Sequence, residues 1–306
     1  MAMAVLEELE EAIRTVAQGA GRSVVGVGAR WGRGSGVVVG DGQVLTNAHN
    51  VRGSEVAVAF GDGRTAEGTV RGVDEDADLA VISVDTAGAP ALEWALEGAA
   101  QLGSLVFALA NPGGRGLRVT HGFVSGVERS FRGPRGRRIA GSLEHTAPLV
   151  RGSSGGPIVD AEGRLVGLNT NRAGEGFYLA IPADATLRER IDGLGRGESA
   201  ATPRLGVAVA PPWVAHRMRR AVGLPERDGL LVRGVAEDSP AAAAGLRRGD
   251  LIVEAAGREV GSADDLFEAL DGVGTGGSLT LKVVRGEEER SVAISLSAGT
   301  TTAEEA

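Results

Sequence analysis

Residues 150–170 read VRGSSGGPIVDAEGRLVGLNT. Within them, Gly152-Ser153-Ser154-Gly155-Gly156-Pro157 turns the chain sharply, exposes Ser154 and gathers backbone N–H groups. The N–H groups of Gly152 and Ser154 are placed to stabilise the oxyanion of a tetrahedral intermediate. The chain has 49 glycines among 306 residues, so such a string is not improbable. Composition alone gives about 0.07 occurrences of G-x-S-G-G, and about 0.003 once the proline is added. A plain turn would use the same residues, so the reading depends on partners elsewhere.

Two partners stand upstream. Thr46-Asn47-Ala48-His49 closes the strand-like run QVLTNAH, and a histidine leaving a strand into a polar turn is well placed as a general base. Taken alone it is an ordinary loop histidine. Asp78 opens the apolar run Leu79-Ala80-Val81. Its carboxylate is expected to be partly buried and to need a partner, and an imidazole N–H suits it. Asp74, Glu75 and Asp76 read as solvated turn residues. The order His, Asp, Ser is that of the chymotrypsin class and differs from subtilisins and α/β-hydrolases. His121, His145 and His216 lack ligand-like spacing to one another or to carboxylates, so no metal site or other cofactor is expected.

Outward from these residues, short β-rich runs fill the chain from Ser23 to Asp85 and again from about Leu105 to Ala183. Roughly six strands on each side of a break near residue 95 predict two barrels or sandwiches. An amphipathic helix is expected over about 4–18, from the spacing of Val5, Leu6, Leu9, Ile13 and Val16. Docking on the body is its expected role, with an oligomer contact as the alternative. A helix over about 185–191 precedes a Gly-rich polar linker over 193–202. Past Pro203 the pattern is mixed α+β, with helices over 214–222, from Ser239-Pro240 and over 263–272. The expected division is 1–19 helical, 20–192 double barrel, 193–202 linker, 203–297 α+β domain and 298–306 disordered tail.

Composition narrows the function. No apolar run approaches the roughly 18 residues of a membrane span. The formal net charge of −8 argues against a general nucleic-acid binder. Of the 32 basic residues only Lys282 is a lysine. With no cysteine, disulfides, thiolate metal sites and thiol nucleophiles drop out. The N-terminus lacks the basic segment and apolar stretch of an export signal, so a cytoplasmic location is expected.

The strings GSGVVV, LTNAHNV, DLAVISVD, GSSGGPIVDAEGRLVGLNT and GFYLAIPAD resemble the HtrA/Deg family of trypsin-like serine proteases. Pro203 to Leu296, containing DSPAAAAGLRRGDLIVEAAGREV, is similar to that family's PDZ domain. The resemblance implies a mainly β fold: a chymotrypsin-like double β-barrel followed by a small α+β PDZ domain. It implies an ATP-independent serine endopeptidase acting on unfolded or damaged proteins, with His49 as base, Asp78 orienting it and Ser154 as nucleophile. Gly152 and Ser154 would supply the oxyanion hole. Val166 to Thr170 would line the substrate channel, and Leu149, Leu168, Asn169 and Thr170 would shape the specificity pocket. With no Asp placed for a basic residue, cleavage after small or medium aliphatic residues is expected.

In the second domain, Arg204-Leu205-Gly206-Val207 resembles a carboxylate-binding loop. A peptide C-terminus would add a strand there, facing Leu266, Ala269 and Leu270; those leucines read equally well as core. Arg129, Arg132, Arg135, Arg137 and Arg138 crowd a Gly-rich loop that resembles the family's regulatory sensor loop; a solvated basic loop is the plainer reading. A trimer is the family's common assembly. Two departures stand beside the nucleophile: Ser153 where the family usually has Asn, and Val150-Arg151 where it usually has Asn-Pro. A flipped peptide between Arg151 and Gly152 would leave the site idle. The rival function is therefore an inactive peptide-binding scaffold or holdase.

Overall fold

The computed structural model describes residues 2–28, 34–95, 98, 100–133, 136–198, 203–274 and 276–296. The chain forms two compact units, 1–200 and 201–306. In the first, helix α1 (Ala2–Gln18) leads to strands β1 (Val24–Val27), β2 (Gly34–Gly40), β3 (Gln43–Thr46), β4 (Glu55–Ala59), β5 (Thr65–Asp74) and β6 (Leu79–Ser83). They close into a barrel in the order β1-β2-β3-β6-β5-β4. Strands β7 (Leu105–Ala110), β8 (Arg118–Arg132), β9 (Arg138–His145), β10 (Pro157–Val159), β11 (Leu165–Gly174) and β12 (Phe177–Pro182) follow. They close a second barrel in the order β10-β11-β12-β9-β8-β7. Helix α2 (Ala185–Gly195) ends the unit.

The strands read as near-continuous apolar runs because each serves two interiors. Side chains alternate across a strand. In β1, Val25 and Val27 fill the first barrel while Val24 faces a core shared between the barrels. Val38 and Val37 divide likewise in β2, as do Val44 and Leu45 in β3. In the second barrel Val106 points inward and Phe107 and Leu109 point to the shared core. The two helices seal that core. Val16 is buried in it, and Leu9, Ala12 and Ile13 pack against it from the same face of α1. Helix α2 contributes Leu187, Ile191 and Leu194.

Two details differ from the sequence reading. Helix α2 runs to Gly195, and Leu194 is buried, so residues 193–195 belong to the first unit rather than to a linker. The i, i+4, i+7 spacing of Leu187, Ile191 and Leu194 continues the apolar face past Gly193, which glycine alone does not break. The rest of the expected linker from 199 to 202, and the tail from 298, lie outside the described residues. Finally, Arg129 and Arg132 stand in β8 and Arg138 in β9, so the arginine-rich segment is the end of a long hairpin. Arg135 lies outside the described residues.

The second unit is a sheet in the order β13-β14-β15-β17-β18, with a two-residue strand β16 (Arg258–Glu259) on β15. Its strands are β13 (Val207–Ala210), β14 (Leu230–Val235), β15 (Leu251–Ala255), β17 (Ser278–Arg285) and β18 (Glu288–Ser295). Helices α3 (Pro212–Ala221), α4 (Pro240–Ala243) and α5 (Ala263–Val273) accompany it. Ser239 caps α4 before a proline at its first position, and Ser262 and Asp265 form a capping box on α5. Asp250, 1% exposed, is held by Arg285 Nε at 2.7 Å. No helix among the described residues is long and apolar enough to cross a membrane.

Because Leu194 closes the shared core, Leu194→Ala is expected to lower the stability of the first unit by about 2–4 kcal/mol. Denaturant unfolding measures it; a change below about 0.5 kcal/mol would return this segment to the linker.

Candidate active site

Asp78 lies in the tight turn between β5 and β6, at φ +57°, a left-handed conformation that Asp tolerates better than most residues. The preceding residues set that conformation. Asp74 Oδ1 accepts the N–H groups of Asp76 and Ala77 at 3.1 and 2.9 Å. Its other oxygen accepts from Arg190 Nη1 of α2 at 2.8 Å. Asp76 lies 3.2 Å from Arg137 Nε, at the end of the β8–β9 hairpin. Asp74 is buried. Asp74 and Asp76 are thus structural anions with named partners, not solvated turn residues.

The Asp78 carboxylate is 1% exposed and fully engaged. It accepts from the His49 backbone N–H at 3.2 Å, from His49 Nδ1 at 2.9 Å and from Thr170 Oγ1 at 2.7 Å. A carboxylate acceptor places the proton on Nδ1 and leaves His49 Nε2 as the basic nitrogen. His49 itself sits in a single turn, Ala48–Asn50, just after β3. Asn47, fully buried, ties that turn to the carbonyl of Asp78 through Nδ2 at 2.9 Å.

Ser154 comes from the second barrel. Its hydroxyl donates to the Thr170 carbonyl at 2.9 Å. Thr170 therefore joins the three residues, with its hydroxyl on Asp78 and its carbonyl on Ser154. The sequence places Thr170 in a specificity pocket, whereas its polar atoms are committed to Asp78 and Ser154. Residue type alone could not reveal this.

The turn before Ser154 has a defined shape. Ser153 N–H donates to the Val150 carbonyl at 3.2 Å, and Gly152 has φ +90°. An i to i+3 bond with a positive φ at the third residue is the signature of a type II turn. The N–H groups of Gly152 and Ser154 donate to nothing among the described residues. Two unpaired donors beside a serine hydroxyl make an anion-ready corner.

The other expected substrate residues are distributed differently. Leu168 lies in the shared core, and Asn169 is fully buried. Beyond the pairing with β10, which ends at Leu168, the edge of β11 opposite β12 faces no strand from Thr170 to Gly174 among the described residues. The open edge thus starts at Thr170 rather than covering Val166 to Thr170, because β10 is only three residues long. Leu149 is half-buried, and with Val150 and Ser153 it borders a cavity of about 190 Å³ that Arg118 and Thr120 also line.

Asn169 clamps the segment after the nucleophile. Its carbonyl accepts from Gly155 N–H at 2.8 Å, and its Nδ2 donates to the Gly156 carbonyl at 3.0 Å. Its Oδ1 faces His145 Nε2 at 3.0 Å. That arrangement puts the His145 proton on Nε2 and leaves Nδ1 without a partner among the described residues. Burial lowers the His145 pKa from 6.5 to about 4, against the opposing effect of the Asn169 hydrogen bond. Sequence reading gave His145 no role; a buried histidine one strand from the nucleophile loop shows only in three dimensions.

In the second unit Arg204 is exposed, Leu205 is buried, Gly206 has φ +77° and Val207 opens β13. The Leu205 and Gly206 carbonyls accept from Ala241 and Ala236 at 2.9 and 2.8 Å, while their N–H groups donate to nothing among the described residues. Strand β13 is an edge of its sheet. Leu266 and Leu270 are buried in the core of the unit, which agrees with the plainer of their two readings. Among the described residues no cluster of three or more His, Asp or Glu could hold a metal ion.

A trypsin-like peptidase domain model matches residues 34–168 and a PDZ domain model matches 231–285. The first unit is a trypsin-like peptidase domain. Putative serine protease HhoA of Synechocystis sp. is 34% identical, over 86% of this chain and 70% of its own. A probable periplasmic serine endoprotease, DegP-like, of Halomonas elongata is 32% identical over 86% of this chain, which spans only 56% of that relative's length. The solved structure of the HtrA-type protease AlgW with a tripeptide superposes with a TM-score of 0.58 at 28% identity, covering 93% of this chain and 96% of that one. The chain belongs to the HtrA/Deg family of trypsin-like peptidases with a C-terminal PDZ domain.

A folded-state pKa below the unfolded value makes the His145 contribution complete above pH 6.5 and lost as pH falls toward 4. The loss is about 3 kcal/mol across that window. His145→Gln keeps an amide donor toward Asn169 without a titrating ring. Urea unfolding at pH 7 and pH 4 is expected to show a smaller acid loss in the variant. Equal losses would place the acid sensitivity elsewhere.

Proposed function

We propose that the chain is an ATP-independent serine endopeptidase for unfolded or damaged proteins. One observation carries the reading: the buried Asp78 carboxylate is shared between His49 Nδ1 and Thr170 Oγ1, and the Thr170 carbonyl holds the Ser154 hydroxyl. Both barrels thus contribute to one polar chain. The reaction starts when Ser154 leaves the Thr170 carbonyl and turns toward His49. Its Oγ attacks the scissile carbonyl while Nε2 takes the hydroxyl proton. The N–H groups of Gly152 and Ser154 receive the oxyanion. Collapse breaks the C–N bond, and His49 returns the proton to the leaving amine. Water, deprotonated by His49, then cleaves the acyl ester and restores Ser154.

The substrate is expected in extended form, pairing with the open edge of β11 from Thr170 onward. Cleavage after small or medium aliphatic residues remains the expected preference, with Leu149 on the pocket wall. The type II turn favours an oxyanion hole already formed at rest, against the flipped peptide considered from Arg151. For the PDZ unit, the unpaired N–H groups of Leu205 and Gly206 support capture of a C-terminal carboxylate. The peptide would pair with β13.

The idle-scaffold reading has one observation on its side, since the Ser154 hydroxyl rests on Thr170 and not on His49. Degradation of an unfolded protein such as reduced casein separates the two readings. The wild type is expected to degrade it and to be labelled at Ser154 by a fluorophosphonate, and Ser154→Ala to do neither. A wild type that does neither while still binding a peptide ending in Val would establish the scaffold. Thr170→Val, which keeps shape and loses the hydroxyl, is expected to lower kcat by about tenfold or more through misorientation of His49; unchanged kcat would dismiss the bridging role.

A further inference from the structure

Ser35 lies near the start of β2 in the first barrel, fully buried, and no catalytic scheme requires its hydroxyl. The hydroxyl donates to the Gly152 carbonyl at 2.9 Å and accepts from the Asn111 N–H at 3.0 Å. With the Asn111 donor occupying a lone pair, the Ser35 proton has one direction open to it, toward Gly152. The same residue grips the other end of the turn, because its backbone N–H donates to the Ser154 carbonyl at 2.8 Å. Its own carbonyl is fixed by Thr46 Oγ1 at 2.7 Å, within three residues of His49.

These contacts bracket the two N–H groups assigned to the oxyanion. Gly152 sits at the third position of the type II turn, where reversal of the Arg151–Gly152 peptide would carry its N–H away from Ser154. The carbonyls on both sides are held: Val150 by Ser153 N–H, and Gly152 by Ser35. We infer that Ser35 is a positioning residue that keeps the oxyanion hole preformed by fixing the Gly152 peptide through its hydroxyl. The inference rests on the protease reading above. It makes the first barrel, which supplies the base, also the guardian of the second barrel's oxyanion donors.

Preorganised donors act mainly in the transition state. Loss of the hydroxyl is therefore expected to fall on kcat and to spare ground-state binding. Ser35→Ala and Ser35→Cys would be compared with the wild type on a peptide substrate. Ser35→Ala is expected to lower kcat about tenfold or more with KM within about twofold, and Ser35→Cys, with its weaker donor, to fall between. Affinity for a peptide aldehyde, whose hemiacetal occupies the oxyanion hole, should drop by the same factor as kcat. Binding of the unreactive parent peptide, measured in the Ser154→Ala background with and without Ser35→Ala, should not change. A generic packing defect would weaken both ligands alike and would overturn the inference, as would kcat within twofold of wild type in Ser35→Ala. If Ser35→Ala does not fold, Ser35→Cys decides alone, and wild-type kcat there overturns the inference. A wild type that neither cleaves nor labels at Ser154 would instead defeat the protease reading itself.

Discussion

The active-site architecture depends on how closely one strand of the first barrel approaches the nucleophile turn of the second. Ser35 N–H and Asn50 Nδ2 both reach the Ser154 carbonyl, at 2.8 and 2.9 Å. This closeness requires glycine. A Cβ on Gly155 would lie 2.2 Å from the Ser35 carbonyl oxygen and 2.5 Å from Thr46 Oγ1. A Cβ on Gly34 would lie 2.1 Å from Asn50 Nδ2. Gly155 also has φ +84°, so a side chain there would be strained as well as crowded. The glycines around Ser154 therefore do more than allow a sharp turn. They let the first barrel donate a backbone and a side-chain hydrogen bond to the Ser154 carbonyl.

The second constraint is electrostatic. A carboxylate as buried as Asp78 is costly without partners. Its donors come from the His49 turn of the first barrel and from Thr170 of the second. Separation of the barrels would remove the Thr170 donor while the carboxylate stayed attached to β6. The Asp78–His49 geometry and barrel docking are thus coupled, because the same hydrogen bonds serve both. The shared core of Val37, Leu45, Phe107, Leu109 and Leu168 supplies the apolar side of that coupling.

Taken singly, His49, Asp78 and Ser154 read as a loop histidine, a turn acid and a turn serine; their order along the chain and the family resemblance single them out, and the structure links them through Thr170. Strand spacing predicts two barrels or sandwiches followed by an α+β domain, and only the family resemblance makes these a double barrel and a PDZ domain. What remained hidden depends on the docking of one barrel on the other. Ser35 looks like any serine beside glycines until its hydroxyl meets Gly152 from 117 positions away. Thr170 and Asn169 sit in one apolar strand, and only the barrel closure turns one toward Asp78 and the other toward His145. The family resemblance offers Leu168 to the substrate, and alternation alone does not say that its face of β11 is covered by the shared core. Asp74 and Asp76 misled for the same reason, since their arginine partners lie in α2 and in the distant hairpin. Leu194 was lost to a glycine-rich context that the helix in fact absorbs.

The arrangement also explains how the chain leaves the peptidase unit without loosening its centre. Helix α2 is the last element before the second unit, yet Arg190 reaches back to Asp74. Asp74 in turn holds the N–H groups of Asp76 and Ala77, the residues that lead into Asp78. A helix terminus exposed to the pull of a following domain would ordinarily fray. Here Leu187, Ile191 and Leu194 anchor its apolar face in the shared core, and Arg190 anchors its polar face on the turn that carries Asp78. The Asp78 conformation is therefore supported from the chain segment before it and from the end of the unit. Its φ of +57° persists because both supports act on the same few residues.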